Sequence, residues 1–261
     1  MKLNLVPART GVAWAQQGVR TFIRQPLLFF SLFMLFMTVA AFVSLLPVIG
    51  GALGLMVIPA MTLALMVATE QVSAAQLAHI RVATPLAFVA ALAAVRQRAR
   101  PLALLGLMFA LGVFAAMWLA SLFDNDPLQR AFQPDGKPDL EVMQSASFQM
   151  AIWLRLAFYA PISLLFWHAP ALAHWHDVPP VKSLFFSWVA CFRNVGAMTL
   201  FGLTWLGVSL VASMLLGLAA TLLRVAGGGF GAAAIVGGSL ALTAMFFCTN
   251  WFIFRDSFRP S

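Results

Sequence analysis

The stretch PLLFFSLFMLFMTVAAFVSLL, Pro26–Leu46, contains no charged residue. A helix needs roughly 20 apolar residues to cross a hydrocarbon core about 30 Å thick. Backbone polar groups cannot stay unpaired in lipid, so a run of this length predicts a transmembrane helix rather than an isolated strand. Five more runs qualify, and they are Val48–Ala68, Pro101–Phe123, Met150–Ala171, Ala197–Leu223 and Gly231–Phe254. The sequence therefore predicts an all-α polytopic membrane protein with six transmembrane helices, forming a single integral membrane domain over residues 1–261.

Composition excludes a soluble globular enzyme. Hydrophobic residues make up 62% of the chain and charged residues only 9%, whereas a soluble domain usually has about a quarter of its residues charged. The net charge of +8 would suggest nucleic-acid binding in a soluble protein. Here the basic residues flank the apolar runs, where membrane orientation explains them. We therefore expect membrane lipids as partners, and no nucleic acid.

The distribution of cations predicts the orientation. Twelve of the 16 Lys and Arg residues lie on the side of the N-terminus, and three, Arg130, Lys137 and Arg224, lie on the other side. Because cytoplasmic loops carry the excess of cations, both termini are predicted to be cytoplasmic in a bacterial inner membrane. The acidic segment 124–149 is then a periplasmic loop, with a short helix near its end.

A shorter amphipathic segment precedes each odd-numbered span, at Val12–Arg24, Pro85–Arg100 and Val181–Val195. This pattern predicts three units, each an amphipathic helix followed by a two-span hairpin. The helices would lie along the cytoplasmic headgroups, or they would be short connectors packed on the bundle. The sequence leaves both interpretations open.

In the first and third segments the apolar and polar residues separate at helical spacing. In the first, the apolar side is Trp14, Ala15, Val19, Phe22 and Ile23, and the polar side is Gln17, Arg20, Thr21 and Arg24. In the third, the apolar side is Val181, Leu184, Phe185, Trp188, Val189 and Phe192, and the polar side is Lys182, Ser183, Ser187, Arg193 and Asn194.

Six cations in these segments are candidates for a binding surface, which we call the basic rim. They are Arg20, Arg24, Arg98, Arg100, Lys182 and Arg193. Each cation near an anionic membrane surface contributes on the order of 1 kcal/mol, so a rim could bind anionic headgroups or an acidic partner collectively. The alternative is that these residues only set orientation during insertion.

Three of the four histidines lie close together, as His168, His174 and His176, followed by Asp177. Imidazoles and a carboxylate are common metal ligands, so a metal site has to be considered. On a continuous helix, however, His174 and His176 would point about 200° apart. We therefore predict no metal and no cofactor, and interpret the cluster as part of an interfacial His/Trp belt.

The sequence contains no catalytic motif such as a P-loop, a nucleophile elbow or a dinucleotide-binding glycine pattern. Few ionisable residues lie inside the apolar runs, whereas ion-coupled transporters usually need them. The two cysteines, Cys191 and Cys248, form no C-x-x-C pair and are expected to be reduced thiols. We therefore predict no catalytic residues.

Two stretches resemble a family of uncharacterised proteobacterial inner-membrane proteins. They are the opening MKLNLVPARTG and the segment from Phe166 to Asn194, with FWHAPAL followed by PPVKSLFFSWVACFRN. The resemblance implies a six-span inner-membrane protein and supplies no catalytic residues. The layout of an amphipathic helix, Arg-Asn and a span is also similar to the membrane domain of some glycerophosphodiester phosphodiesterases, whose catalytic acids and histidines have no counterpart here.

The sequence thus favours a non-enzymatic membrane protein that binds lipid headgroups or other inner-membrane proteins, as an accessory subunit of a larger complex in the latter case. A transporter or channel for an uncharged or amphiphilic solute is the alternative. A metal-dependent membrane enzyme comes third.

Overall fold

The computed structural model describes residues 2–80, 83–123, 131, 139–225 and 230–259. Most of the predicted periplasmic loop, including Arg130 and Lys137, lies outside the described residues. The part from Asp139 onward contains a short helix, Leu140–Gln144, where a short helix was predicted. Its N-terminus is capped by the Asp139 carboxylate, which accepts the backbone N–H groups of Glu141 and Val142, both at 3.1 Å.

Every long element in these ranges is a helix, in agreement with the all-α prediction. In chain order the elements are β1 (Lys2–Leu3), α1 (Thr10–Arg24), α2 (Pro26–Ser44), α3 (Gly50–Met56), α4 (Ile58–Leu77), α5 (Thr84–Gln97), α6 (Ala99–Ser121), α7 (Leu140–Gln144), α8 (Ala146–Phe166), α9 (Ala169–Trp175), α10 (Pro180–Arg193), α11 (Val195–Val225), α12 (Gly231–Ser257) and β2 (Phe258–Arg259).

Six helical segments in the described ranges are long and apolar enough to cross a membrane, and they match the six predicted runs. They are Pro26–Ser44, Gly50–Leu77, Ala99–Ser121, Ala146–Trp175, Val195–Leu223 and Gly231–Ser257. The second extends nine residues past the predicted end at Ala68. A helix that packs against a neighbour continues through polar residues, and α4 packs against α5 in this region.

Each amphipathic helix is separated from the following span by a single residue. The break falls at Gln25 between α1 and α2, at Arg98 between α5 and α6, and at Asn194 between α10 and α11. The backbone angles at Arg98 (φ −105°, ψ 21°) and Asn194 (φ −108°, ψ 26°) are nearly the same. The second amphipathic helix therefore ends at Gln97, before the predicted end at Arg100.

The three amphipathic helices also bury residues at the same three positions. Each set begins eleven residues before the break and follows the spacing i, i+4, i+7, which defines one face of a helix. The sets are Trp14, Gly18 and Thr21 in α1; Ala87, Ala91 and Ala94 in α5; and Ser183, Ser187 and Ala190 in α10. This shared arrangement agrees with three related units at the level of these helices.

The buried face differs from the apolar face predicted by sequence. In α1, Thr21 is buried although it was assigned to the polar side, and Ile23 is 64% exposed although it was assigned to the apolar side. Burial of Thr21 is possible because its hydroxyl donates to Gln17 O, 2.8 Å away in the same helix. In α10 the departure is larger, because Ser183 and Ser187 are buried while Phe185 is 61% exposed.

Helix α1 packs closely across α11 and α12. A Cβ atom at Gly11 would collide with the backbone oxygen of Ala197 and lie 2.6 Å from the backbone nitrogen of Phe201. A Cβ at Gly18 would collide with the Thr249 side chain. Trp14, between the two glycines, is fully buried. Only glycine permits this approach of the backbones.

The two ends of the described chain lie side by side. Strands β1 and β2 pair antiparallel, with Lys2 opposite Arg259 and Leu3 opposite Phe258. The Asn4 side-chain amide extends the contact by donating to Asp256 O at 2.8 Å. Both termini therefore lie at the end of the helix bundle that carries α1.

We expect Gly11→Ala to destabilise the fold by about 1–3 kcal/mol, because the added methyl group meets backbone atoms that cannot rotate away. Thermal unfolding in detergent measures the change as a lower Tm. The control is Gly207→Ala in α11, where no atom lies within 4 Å of the added carbon. Equal Tm values for the two variants would show that the α1 contact does not depend on glycine.

Candidate functional site

Five of the six basic-rim residues have exposed side chains. These are Arg20, Arg24, Arg100, Lys182 and Arg193. Within the described part of the chain, none of the five makes a hydrogen bond or an ion pair. Four of them lie within five residues of a helix break, and Lys182 lies in the first turn of α10. These side chains are therefore free to contact a ligand.

Arg98 differs from the other five. Its guanidinium forms an ion pair with Asp177 and donates from Nη2 to the backbone oxygen of His174, 3.1 Å away. The two contacts tie the α5–α6 break to the segment that follows α9. Asp177, which the sequence analysis considered as a possible metal ligand, is the ion-pair partner of Arg98. Arg98 was predicted to be part of the basic rim, but its guanidinium is bound within the protein.

The outward surface of α10 is apolar and basic. Val181, Phe185 and Phe192 are exposed by 65%, 61% and 52%, and Trp188 packs on Phe192 with a ring-centroid distance of 4.4 Å. Lys182 and Arg193, near the two ends of the helix, are also exposed. Aromatic and aliphatic side chains next to cations are typical of helices that lie in the membrane interface.

The inward surface of α10 bridges a break in the backbone hydrogen bonding between α8 and α9. The Ser187 hydroxyl accepts the backbone N–H of His168 at 2.9 Å and donates to Leu164 O at 2.8 Å. A regular helix would join these two backbone groups directly. Ser187 is therefore inserted into the helical hydrogen-bond ladder, which is a recognised cause of kinks.

The three clustered histidines occupy separate environments. His168 is buried, with its ring against Phe254 and Phe258 at centroid distances of 6.2 and 5.4 Å. The His174 ring meets Trp175 edge-on at 4.7 Å. His176 lies near Phe254, and burial lowers the pKa of its imidazole.

Among the described residues, no group of three or more His, Cys, Asp or Glu side chains is placed to hold a metal ion. The absence of a metal remains a prediction. Both cysteines are free and buried. Burial raises the pKa of the Cys191 thiol to about 12, so this group is protonated at neutral pH and is a poor nucleophile.

Hydrogen bonds that the sequence did not predict hold the chain ends to the helices. We call the residues that form them the terminal clasp, and they are Asn4, Val6, Trp14, Asn194 and Asp256. The Asp256 carboxylate accepts the indole N–H of Trp14 at 2.9 Å. The Asn194 side chain accepts Val6 N–H at 2.9 Å and donates to Asn4 O at 3.1 Å. The two residues in each hydrogen bond lie more than 180 positions apart in sequence, so no local sequence spacing predicts these contacts.

A small cavity of about 110 Å³ lies between α4, α6, α8, α9 and α12. Asn250 lines it, and its buried side-chain oxygen has no hydrogen-bond partner in the described structure. The wall contains no Asp, Glu, Lys, Arg or His. A guest in this cavity would therefore be uncharged, because a charge would have no partner there.

Comparison with known proteins identifies a relative that matches over nearly the full length. A protein of Burkholderia thailandensis named a probable inner membrane protein is 35% identical over 260 residues, which cover 99% of this chain and 94% of that protein. No protein-family model matches the chain. No solved structure matches it significantly.

Replacing Ser187 with Ala should lower the Tm in detergent more than replacing Ser183 with Ala. Ser187→Ala leaves the buried His168 N–H without an acceptor and leaves Leu164 O with only the weak thiol donor of Cys191, 3.8 Å away. An unpaired buried group costs about 1–3 kcal/mol. Ser183 is a matched control, because it is equally buried one turn earlier but donates only to Pro180 O within its own helix. Similar losses in the two variants would contradict the role assigned to Ser187.

Proposed function

The chain belongs to the family of the Burkholderia protein, and we propose that it is a non-enzymatic, multi-pass inner-membrane protein whose basic rim binds anionic lipid headgroups. Its six long apolar helices and its relative's name support the membrane location. The five free cations of the rim are the proposed ligands for lipid phosphate. Arg98 is left out because it is paired within the protein.

The orientation that we propose has both termini in the cytoplasm. The excess of cations on the side of the termini supports it, because cytoplasmic segments are enriched in Lys and Arg. The pairing of β1 with β2 is consistent with termini on one side. In this arrangement α1, α5 and α10 lie at the cytoplasmic face, each ahead of a two-span hairpin.

The observation that carries the proposal is the orientation of α10. The helix turns small hydroxyl residues toward the bundle and presents Val181, Phe185 and Phe192 outward. In water this exposure of large apolar side chains would be unfavourable, whereas in the membrane interface it is favourable. Lys182 and Arg193 would then lie at the level of the headgroups. An accessory subunit that binds another inner-membrane protein would be the competing outcome.

Transport of an uncharged or amphiphilic solute is the second candidate, and the cavity lined by Asn250 is the feature that favours it. Flux of a neutral solute into proteoliposomes that is lost in Asn250→Leu would place this function first.

Reporter fusions test the orientation. A fusion after Gln133 should report the periplasm, and a fusion at the C-terminus should report the cytoplasm, because twelve cations flank the spans on the terminal side and three on the other. A periplasmic signal from the C-terminal fusion, or a cytoplasmic signal from the Gln133 fusion, would exclude the proposed orientation.

Neutralising the five free rim cations together tests lipid binding. A variant with Gln at Arg20, Arg24, Arg100, Lys182 and Arg193 should retain at least tenfold less phosphatidylglycerol, because each cation contributes on the order of 1 kcal/mol. Any single substitution should have a small effect. Native mass spectrometry of protein released from phosphatidylglycerol-containing nanodiscs measures the retained lipid, and the wild-type signal should fall with added salt.

The control for this experiment changes the four arginines to Lys and keeps Lys182, so that the charge remains. It should retain phosphatidylglycerol like the wild type. Unchanged lipid in a correctly inserted Gln variant would mean that these residues only set orientation. Loss of a co-purifying protein in place of lipid would favour the accessory-subunit role.

A further inference from the structure

An apolar groove of about 410 Å³ lies between α8, α10, α11 and α12. Its wall includes Leu164, Trp167, Phe192, Gly202, Trp205 and Phe246, and no charged residue lines it. No other atom lies within 4 Å of the position that a Cβ at Gly202 would take, so the groove has free space there. The shape and chemistry suit a hydrocarbon chain.

The length of α11 indicates the depth of the groove. Its 31 residues span about 46 Å, roughly 16 Å more than the hydrocarbon core. Its first turns, at Ala197 and Phe201, lie against α1. Trp205 is one turn farther along α11, so the groove lies at the boundary between headgroups and hydrocarbon. Tryptophan is enriched at this depth, which is also that of the glycerol esters of a phospholipid.

Two donors in the wall of the groove have no acceptor. The indole N–H groups of Trp167 and Trp205 are buried, and neither has a hydrogen-bond partner in the part of the chain described. An indole N–H can only donate, and leaving it unpaired away from water is unfavourable. A ligand that brings oxygen acceptors to this depth would satisfy them once a covering side chain of the wall moves aside, and ester carbonyls are such acceptors.

A free cation lies next to the groove. Arg193 follows Phe192, which lines the groove, and its exposed guanidinium has no partner among the described residues. A phosphate there would form a charge-assisted hydrogen bond without competition from an acidic residue of the wall. These features occur in the same order as the parts of a phospholipid. The apolar wall corresponds to the acyl tail, the unpaired indole N–H groups to the ester, and Arg193 to the phosphate.

We propose that this groove binds one anionic glycerophospholipid, with its phosphate at Arg193, its ester carbonyls at Trp167 and Trp205, and one acyl chain along α11. The inference rests on the proposed function, because it assigns the site at which one of the rim-bound lipids is held. Compared with a headgroup bound at the rim alone, this lipid should exchange more slowly.

Filling the groove tests the proposal. Gly202→Leu places a side chain in the free space and should reduce retained phosphatidylglycerol about tenfold in native mass spectra of protein from nanodiscs. Gly207→Leu on the same helix is the matched control, because its site is equally open but lies outside the groove. Elution volume and Tm establish that both variants are folded.

A second variant and a second readout keep the test independent of folding. Trp205→Phe removes one donor and should weaken retention about fivefold. Phosphatidylglycerol with a brominated acyl chain should quench the fluorescence of the wild-type protein more than that of Trp205→Phe. Retention and quenching of Gly202→Leu equal to those of Gly207→Leu would overturn the groove assignment.

The two proposals can fail separately. If the five-cation Gln variant loses phosphatidylglycerol while Gly202→Leu keeps it, the groove assignment is wrong and the headgroup function stands. If Gly202→Leu loses the lipid while the Gln variant keeps it, the groove holds a lipid by its chain alone. That result would overturn the role of Arg193 and, with it, the proposed function.

Discussion

The close approach of α1 to α11 and α12 is the contact on which the cytoplasmic end of the proposed topology depends. It is possible only because residues 11 and 18 are glycines, whose backbones reach Ala197 and Thr249. With α1 in this position, the Trp14 indole reaches the Asp256 carboxylate and β1 reaches β2. The terminal clasp is thus a consequence of helix packing. Its hydrogen bonds join residues up to 252 positions apart, so they depend on how the helices pack.

Helix α10, which the proposed topology places in the membrane interface, does not follow the burial rule of soluble proteins. In a soluble protein the apolar face of an amphipathic helix turns inward and its polar face meets water. In α10 the small hydroxyl residues turn inward, where backbone oxygens and N–H groups satisfy them, as Ser187 does between Leu164 and His168. In the proposed topology, lipid solvates the outward apolar side chains. Apolar side chains are tolerated on both faces of a helix in this setting. The few hydrogen bonds to neighbouring helices therefore determine how the helix is oriented.

The sequence was sufficient to predict the six spans, since length and hydropathy act locally. It was less reliable for helix ends, as α4 continues past Ala68 to Leu77. It identified the amphipathic helices but assigned Thr21 and Ile23 to the wrong sides, because their burial depends on the neighbouring helices. The rim cations were predicted from residue type and position, and five of the six have exposed side chains. The pairing of Arg98 with Asp177 was not, because the two residues are distant in sequence and meet only through packing of α9 against α4 and α6.

The exposed surface of α11 does not by itself require a protein partner. Leu206, Leu210 and Met214 are 57%, 63% and 76% exposed, which in water would mark an interaction surface. Lipid tails are as apolar as leucine, so no hydrophobic force drives this face toward another helix. The features of this region that lipid tails leave unsatisfied are polar, namely two indole N–H groups and the free guanidinium of Arg193. A phospholipid supplies acceptors for all of them, and this match is the basis of the proposed lipid site.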